Sequence, residues 1–158
     1  MRLALYQPDI PPNAGTLLRL GACLGVPLDI IMPCGFPIGD RDLKRAAMDY
    51  AAKVECRRHE SWPAFAAARR GRLVLLTTRA TIPYTAFRFA PDDTLLVGRE
   101  SDGVPDEVHR AADARIRVPM VADVRSLNVA VATAIVLGEA LRQTGLLPTT
   151  AQPTEVVA

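Results

Sequence analysis

The chain has 158 residues, of which 49% are hydrophobic and 23% charged, and its net charge is +2. This composition excludes a disordered chain, and no apolar run is long enough to span a bilayer. Three cysteines without metal-like spacing suit reduced thiols in a cytosol. We therefore expect one globular domain over residues 1–147 and a disordered tail over 148–158, in a cytoplasmic protein without metal or membrane partner.

The first predicted elements are a strand and a helix separated by a proline-rich loop. Leu3–Tyr6 reads as a strand. The two prolines in Asp9–Gly15 cannot continue a sheet, whereas Asn13 can cap a helix from Thr16 to Leu24. Within that helix Arg19 has apolar neighbours, so we expect its guanidinium either to extend to water or to bind an anionic partner.

The next part of the chain is basic. It predicts a strand at Leu28–Met32, an amphipathic helix at Asp42–Tyr50, an exposed strand at Lys53–Arg57 and a helix at Ser61–Arg70. We assign no chemistry to His59. The basic cluster is either a docking surface for a polyanion or solvated helix surface. Its members are Arg41, Lys44, Arg45, Lys53, Arg57, Arg58, Arg69, Arg70 and Arg72.

The remaining elements predict an α/β fold with a mostly parallel sheet. Arg72–Thr78 and Thr94–Val97 are continuous apolar runs, so we expect two central, parallel strands. A short helix from Pro105 leads to a strand at Arg115–Met120. The run Val129–Leu137 is apolar on nearly every helical face, which predicts a helix buried all round.

Three polar segments follow predicted strands or begin the helices beyond them. These segments are Asn13–Arg19, Gly98–Gly103 and Val118–Asn128. Because the carboxyl ends of parallel strands share one edge of a sheet, we expect them to form a ligand site. Ser126 is either part of this site or only a helix cap. Neither a Walker-type phosphate loop nor a Gly-x-Gly-x-x-Gly fingerprint is present.

In order and spacing, these segments resemble the three motifs of the SPOUT superfamily of RNA methyltransferases. The resemblance covers Leu3–Leu147 and is closest to the minimal branch that 2′-O-methylates the wobble nucleotide, cytidine or uridine 34, of tRNA. The branch is suggested by Ile10–Gly15, Leu43–Tyr50 and Arg125–Asn128. A departure is Gly138, where many relatives carry a tyrosine, so we assign no catalytic tyrosine.

The resemblance implies a C-terminal deep trefoil knot, a homodimer, S-adenosylmethionine as cofactor and tRNA as substrate. The implied catalytic residue is Arg19; because a guanidinium stays protonated, we assign it stabilisation of the forming alkoxide rather than proton removal. The implied RNA-facing residues are Asn13, Lys44, Arg45 and Asn128. The implied cofactor-binding residues are Leu76, Thr77, Gly98, Glu100, Gly103, Val118, Met120, Ser126 and Leu127.

Three alternatives remain open at this point. The chain could methylate another tRNA or rRNA nucleotide, or be an RNA-binding relative that has lost catalysis. It could also be an α/β enzyme acting on small metabolites, with its arginines reflecting coding bias.

Overall fold

The structure, a computed structural model, describes residues 1–37, 41, 45 and 47–149. The strands of this part of the chain are β1 (Arg2–Tyr6), β2 (Leu28–Ile31), β3 (Cys56–His59), β4 (Leu73–Leu76), β5 (Ile82–Pro83), β6 (Thr94–Val97) and β7 (Ala114–Arg117). The α-helices are α1 (Pro11–Leu24), α2 (Trp62–Ala68), α3 (Asp106–Ala111) and α4 (Val129–Thr144). Short 3₁₀ helices span Met48–Lys53 and Tyr84–Ala86.

All the strands of the described chain join one sheet in the order β3-β2-β1-β6-β4-β7-β5, and every neighbouring pair is parallel. The prediction of an α/β fold with a mostly parallel sheet is confirmed. The two apolar runs lie at its centre as β4 and β6, where strands covered on both faces need apolar residues at every position.

Helices cover both faces of the sheet, and the alternation of side chains along β1 separates two cores. Leu3 and Leu5 pack with residues of α1 and α4, including Leu17 and Leu137. Ala4 and Tyr6 face the opposite way, where they pack with Trp62 and Phe65 of α2 and Val108 of α3. Helices α1 and α4 therefore lie on one face of the sheet, and α2 and α3 lie on the other.

The first helix begins earlier than predicted. Pro11 and Pro12 form its first turn, because the N–H group that proline lacks has no intrahelical partner there. The N-cap is Ile10, so the expectation that Asn13 caps this helix is wrong. Asn13 lies inside the first turn, and its side chain is available for other contacts.

Other boundaries also differ from the predictions. The strand expected at Lys53–Arg57 begins later, as β3 at Cys56–His59, and Lys53 is the last residue of a 3₁₀ helix. The last strand ends at Arg117 rather than Met120, since the residue before Pro119 is the last that could continue a ladder. Of the predicted helix at Asp42–Tyr50, residues 42–44 and 46 lie outside the described part of the chain, as do residues 150–158 of the predicted tail.

The helix predicted to be buried all round is α4, and that prediction is wrong. One side of α4 packs on the sheet through Val136 and Leu137, which are fully buried. On the other side Val131 is 50% exposed and Ile135 is 39% exposed. Within the part of the chain that the structure describes, no further layer covers this apolar side. Among the described helices, none is long and apolar enough to cross a membrane.

Candidate active site

A cavity of about 560 Å³ lies at the carboxyl edge of the sheet, beside the ends of β4, β6 and β7 and the start of α4. Its volume is within the range of small-molecule sites. All nine residues predicted to bind the cofactor line this one cavity, together with Asn13 and Asn128. The three segments that the sequence singled out therefore meet where parallel strands bring their ends together.

Two glycines shape the wall of the cavity that follows β6. Arg99 and Gly103 pair as a small antiparallel bridge, with N–H to oxygen distances of 3.0 and 2.9 Å. Gly103 has a φ of +70°, a conformation that favours glycine. A Cβ atom on Gly98 would lie 2.6 Å from the carbonyl carbon of Gly103. Glycine at position 98 is therefore required by the loop backbone itself, as well as by any ligand that occupies the cavity.

Glu100 is held in this loop by Asp9, a residue that the sequence analysis did not single out. The Asp9 carboxylate accepts hydrogen bonds from the N–H groups of Glu100 (3.0 Å) and Ser101 (3.3 Å). In return the Asp9 N–H donates to Glu100 Oε2 over 3.1 Å. These reciprocal contacts fasten the loop after β6 to the loop after β1.

The two carboxyl groups share the negative charge unequally. Contact with the Glu100 side chain, and hydrogen bonds from Ser101 and the loop backbone, lower the pKa of Asp9 far below its ordinary value. Burial, and then the contact with Asp9, raise the pKa of Glu100. Asp9 therefore keeps the charge, and Glu100 is the more readily protonated member of the pair.

A chain of side-chain hydrogen bonds continues from Glu100 to the start of α4. Asn13 Nδ2 donates to Glu100 Oε1 over 3.1 Å, and Asn128 Nδ2 donates to Asn13 Oδ1 over 2.9 Å. Asn128 Oδ1 accepts from the N–H groups of Ala130 and Val131, at 2.9 and 3.2 Å. The helix cap is therefore Asn128 and not Ser126. Much of the hydrogen-bonding capacity of the two asparagines is used within the protein.

The segment between β7 and α4 closes the cavity from outside. Residues 121–128 are all exposed, including Ser126 and Leu127, which line the cavity. Val121 is 77% exposed, Val124 52% and Leu127 40%. This wall presents apolar side chains to the outside as well as a polar turn to the cavity.

Arg19 extends from its apolar neighbours into water. Its side chain is exposed, and its guanidinium carbon is 5.3 Å from the ring centroid of Tyr50. It neither bonds to Glu100 nor belongs to the lining of the cavity, within the part of the chain that the structure describes. Of the two outcomes expected for this guanidinium, the structure therefore shows extension to water and no anionic partner among the described residues. Arg45 is exposed as well, and Lys44 lies outside the described residues.

Several polar lining residues were missed from the sequence. Arg79, Arg99, Arg117 and Arg125 add positive charge around the cavity, and His109 enters its wall from α3. Burial, followed by the charge of Arg79, lowers the pKa of His109. Arg99 and Arg125 lie within the singled-out segments Gly98–Gly103 and Val118–Asn128, but no role was assigned to them. The other three lie in a predicted strand, a predicted short helix and a connector, namely Arg117, His109 and Arg79. Among the residues described, no group of three or more His, Cys, Asp or Glu side chains is placed to hold a metal ion.

Residues 1–138 match the SpoU rRNA Methylase family. The chain belongs to this family, in agreement with the fold and with the position of the cavity.

Particular relatives are similar over nearly the whole chain. A tRNA (cytidine(34)-2′-O)-methyltransferase of Beijerinckia indica subsp. indica is 61% identical over 148 residues, which is 92% of either chain. The protein of the same name from Escherichia coli (strain K12) is 40% identical over 92% of this chain and 94% of its own. A solved structure described as addressing the 2-OH methylation of C/U34 on tRNA has a TM-score of 0.86 and 44% identity, over 90% of this chain and 94% of its own.

Proposed function

We propose that this protein transfers a methyl group from S-adenosylmethionine to a ribose 2′-oxygen of tRNA, at the wobble nucleotide, cytidine or uridine 34. The observation that carries the proposal is the 61% identity to a tRNA (cytidine(34)-2′-O)-methyltransferase over 92% of both chains. The cavity supports it independently, since it gathers the three motif segments of the family at one edge of the sheet.

The cavity fits the proposed cofactor in size and in lining. It is about 560 Å³, and it is lined by the loop Gly98–Gly103, whose backbone a Cβ atom at position 98 would displace. A rRNA methyltransferase of Sinorhizobium meliloti whose solved structure is described as AdoMet-bound is 27% identical, with a TM-score of 0.81, and covers 89% of this chain and 55% of its own. We assign the binding residues as Leu76, Thr77, Gly98, Glu100, Gly103, Val118, Met120, Ser126 and Leu127.

When bound, the cofactor supplies an electrophilic methyl group on a sulfonium, and the reaction is an in-line attack by the ribose 2′-oxygen. The chain's own residues must hold the two reactants in line and exclude water. Asn13 and Asn128 fix the edge of the cavity through their bonds to Glu100 and to the start of α4. We assign Arg19 to stabilising the alkoxide and an adjacent phosphate, because its exposed guanidinium can bind an incoming polyanion.

We also propose a homodimer. The outer side of α4 and the segment before it expose several large apolar side chains, a feature that marks interfaces between proteins. These side chains are Val121, Val124, Leu127, Val131 and Ile135. Sedimentation should give a dimer at micromolar concentration, and a glutamate in place of Ile135 should dissociate it. A monomeric wild-type protein would contradict this proposal.

Two finer structural assignments accompany the function. We propose that residues 1–147 form one domain with a trefoil knot at its carboxyl end. In support of the knot, the chain leaves β7 and reaches α4 beside Asn13 by passing the ends of β4 and β6. There Val118, Met120 and residues 125–128 line the same cavity as the loop 98–104. A tRNA substrate also agrees with a cytoplasmic location.

The decisive experiment is transfer of a labelled methyl group to bulk tRNA, followed by digestion and mass spectrometry of the anticodon loop. We expect one 2′-O-methylated nucleotide at position 34. The matched control is the same tRNA with a 2′-deoxyribose at that position, which should accept no label. Label at another nucleotide or in rRNA alone would replace the assigned substrate, and no transfer to any RNA would reject the proposed function.

A further inference from the structure

A second cavity, of about 410 Å³, lies at the opposite edge of the sheet from the candidate active site. It opens beside the first residues of β1, β2, β3 and β6 and beside the carboxyl end of α2. Its lining includes the cations Arg2, Arg57, Arg69 and Arg70, together with His59. The function proposed for the protein makes no use of this cavity.

The cavity exists because α2 is too short to cover its side of the sheet. Trp62 and Phe65 of α2 pack over the carboxyl half of β1 and β2, against Tyr6 and Ile31. The amino ends of the same strands extend beyond the helix. The side chains that alternate onto this uncovered area are polar, and Asp29 is the acidic residue at its centre.

The floor of the cavity is an internally satisfied ion cluster. Asp29 is buried, and its carboxylate accepts from Arg2 Nε over 2.7 Å and contacts His59 Nε2 at 2.8 Å. A second contact joins Arg2 to Glu55 at 3.3 Å. Arg2 therefore offsets the Asp29 charge and His59 occupies its other oxygen, so Asp29 does not present a free carboxylate to an anion that enters from outside.

The rim carries guanidinium donors that the protein itself does not use. Arg57 forms an ion pair with Glu55 in which Nε is 2.8 Å from the carboxylate, and Arg69 donates to Gly71 and Asp113 from the same terminal nitrogen. Their remaining nitrogens make no hydrogen bond to the described residues. Arg70 is exposed and makes no side-chain hydrogen bond or ion pair to any residue that the structure describes. Since a guanidinium has five N–H donors, three arginines present unused donors around one opening.

We infer that this second cavity binds a phosphate group of the RNA backbone, away from the site of methyl transfer. The inference rests on the proposed RNA substrate. Arginine forks match the geometry of phosphate oxygens, and the cavity has an excess of positive charge over Asp29, Glu55 and Asp113. Its cations stand at an open rim, with the Arg57 side chain 62% exposed, as is required by a polymer that passes over the site.

The test compares two doubly substituted proteins that lose the same charge. Arg57→Gln with Arg70→Gln removes two rim donors, whereas Arg88→Gln with Arg110→Gln removes two exposed arginines outside both cavities. We measure the affinity for tRNA between about 50 and 200 mM salt, where phosphate contacts dominate the dependence on salt. The rim variant should bind about tenfold less tightly at low salt, and its log–log slope should be shallower by about one to two.

Two further measurements, methyl transfer and binding of inorganic phosphate, distinguish a contact to the RNA backbone from a site for free phosphate. Methyl transfer at saturating tRNA should be unchanged in the rim variant, because the active-site cavity is intact. Suppose that inorganic phosphate binds the wild type but not the rim variant, while tRNA binding has the same salt slope in both proteins. The cavity would then be a site for free anions, and the RNA contact would be overturned. Equal slopes without phosphate binding would overturn it as well.

A single substitution tests the inference in a protein whose folding should be unaffected. Arg70→Gln removes no side-chain hydrogen bond or ion pair to the described part of the chain, so its melting temperature should equal that of the wild type. It should still make the salt slope shallower by about 0.7–0.9. If the wild type methylates tRNA and Arg70→Gln binds tRNA with the full salt slope, the phosphate site is refuted but the proposed function is not. A wild type that neither binds nor methylates RNA would refute the proposed function.

Discussion

Asn128 has two roles in the structure that a pair of substitutions can separate. Its Oδ1 caps α4 by accepting from the N–H groups of Ala130 and Val131, at 2.9 and 3.2 Å. Its Nδ2 donates to Asn13, which in turn donates to Glu100. Asn128→Ala removes both roles. Asn128→Asp keeps an oxygen that can cap the helix but removes the donor.

The two variants should differ in stability. Loss of an N-cap costs about 1 kcal/mol, and loss of a part-exposed hydrogen bond to Asn13 adds roughly 0.5–1 kcal/mol. For a domain of this size, Asn128→Ala should therefore lower the melting temperature by about 3–8 °C. Asn128→Asp should melt close to the wild type, because its carboxylate caps the helix and interacts favourably with the helix dipole.

The two variants should be alike in activity. In Asn128→Asp, Asn13 either leaves its oxygen facing the new carboxylate or turns that oxygen towards Glu100, and both arrangements place two acceptors against each other at the edge of the cavity. In Asn128→Ala, the Asn13 oxygen loses its donor, so the side chain that donates to Glu100 is no longer held from the start of α4. Since small misplacements of reacting groups are costly, single-turnover methyl transfer should fall by about ten- to a hundredfold in both variants.

The measurements are a thermal melt and single-turnover methylation of each variant with saturating tRNA. If Asn128→Asp transfers methyl at the wild-type rate, the hydrogen bonds that link Asn128 through Asn13 to Glu100 have no part in the reaction. Asn128→Ala that melts like the wild type would refute the assignment of the cap.

Three further predictions concern single residues. Gly98→Ala should abolish cofactor binding in calorimetry, because its Cβ would lie 2.6 Å from the Gly103 backbone; the control Gly138→Ala, with no atom within 4 Å, should keep binding and gain about 0.5–1 kcal/mol. Arg19→Ala should fold and bind cofactor but lose methyl transfer by at least about 100-fold, with poor rescue by lysine; near-normal turnover would end its assignment. The stability that Asp9 contributes is present above its ordinary pKa of 3.8 and lost as the pH falls, so melts of Asp9→Asn and wild type should converge in acid; a constant gap would contradict this.

The sequence predicted the sheet and its ligand edge because both depend on local patterns. The apolar runs of β4 and β6 indicate central strands by themselves, and each motif segment directly follows a strand or begins a helix. A parallel sheet then brings these segments together without further information. That is why Gly98 and Ser126, from two segments distant in sequence, line one cavity as the pattern predicted.

The contacts within that neighbourhood were not predictable in the same way. Asp9 and Glu100 are 91 positions apart, and nothing local distinguishes an aspartate that binds another loop from one that faces solvent. Arg19 is a different case, since the signal was present. Thr16, Arg19 and Cys23 recur at the spacing of one helical face, and all three are exposed. The residues next to Arg19 in sequence are apolar, and they hid the fact that Arg19 lies on a polar face of the helix. Helical periodicity would have distinguished that face from the apolar one.

The second cavity shows the same limit from the other edge of the sheet. Asp29 stands in a strand that otherwise reads as apolar, and its partners Arg2 and His59 come from the neighbouring strands, 27 and 30 positions away. A charge in a covered strand requires such partners, so the sequence indicates that they exist but not where they lie. Once the register of the three strands is known, their polar residues fall on one face beyond the end of α2. The length of that helix, rather than any motif, determines that the cluster is open to a ligand.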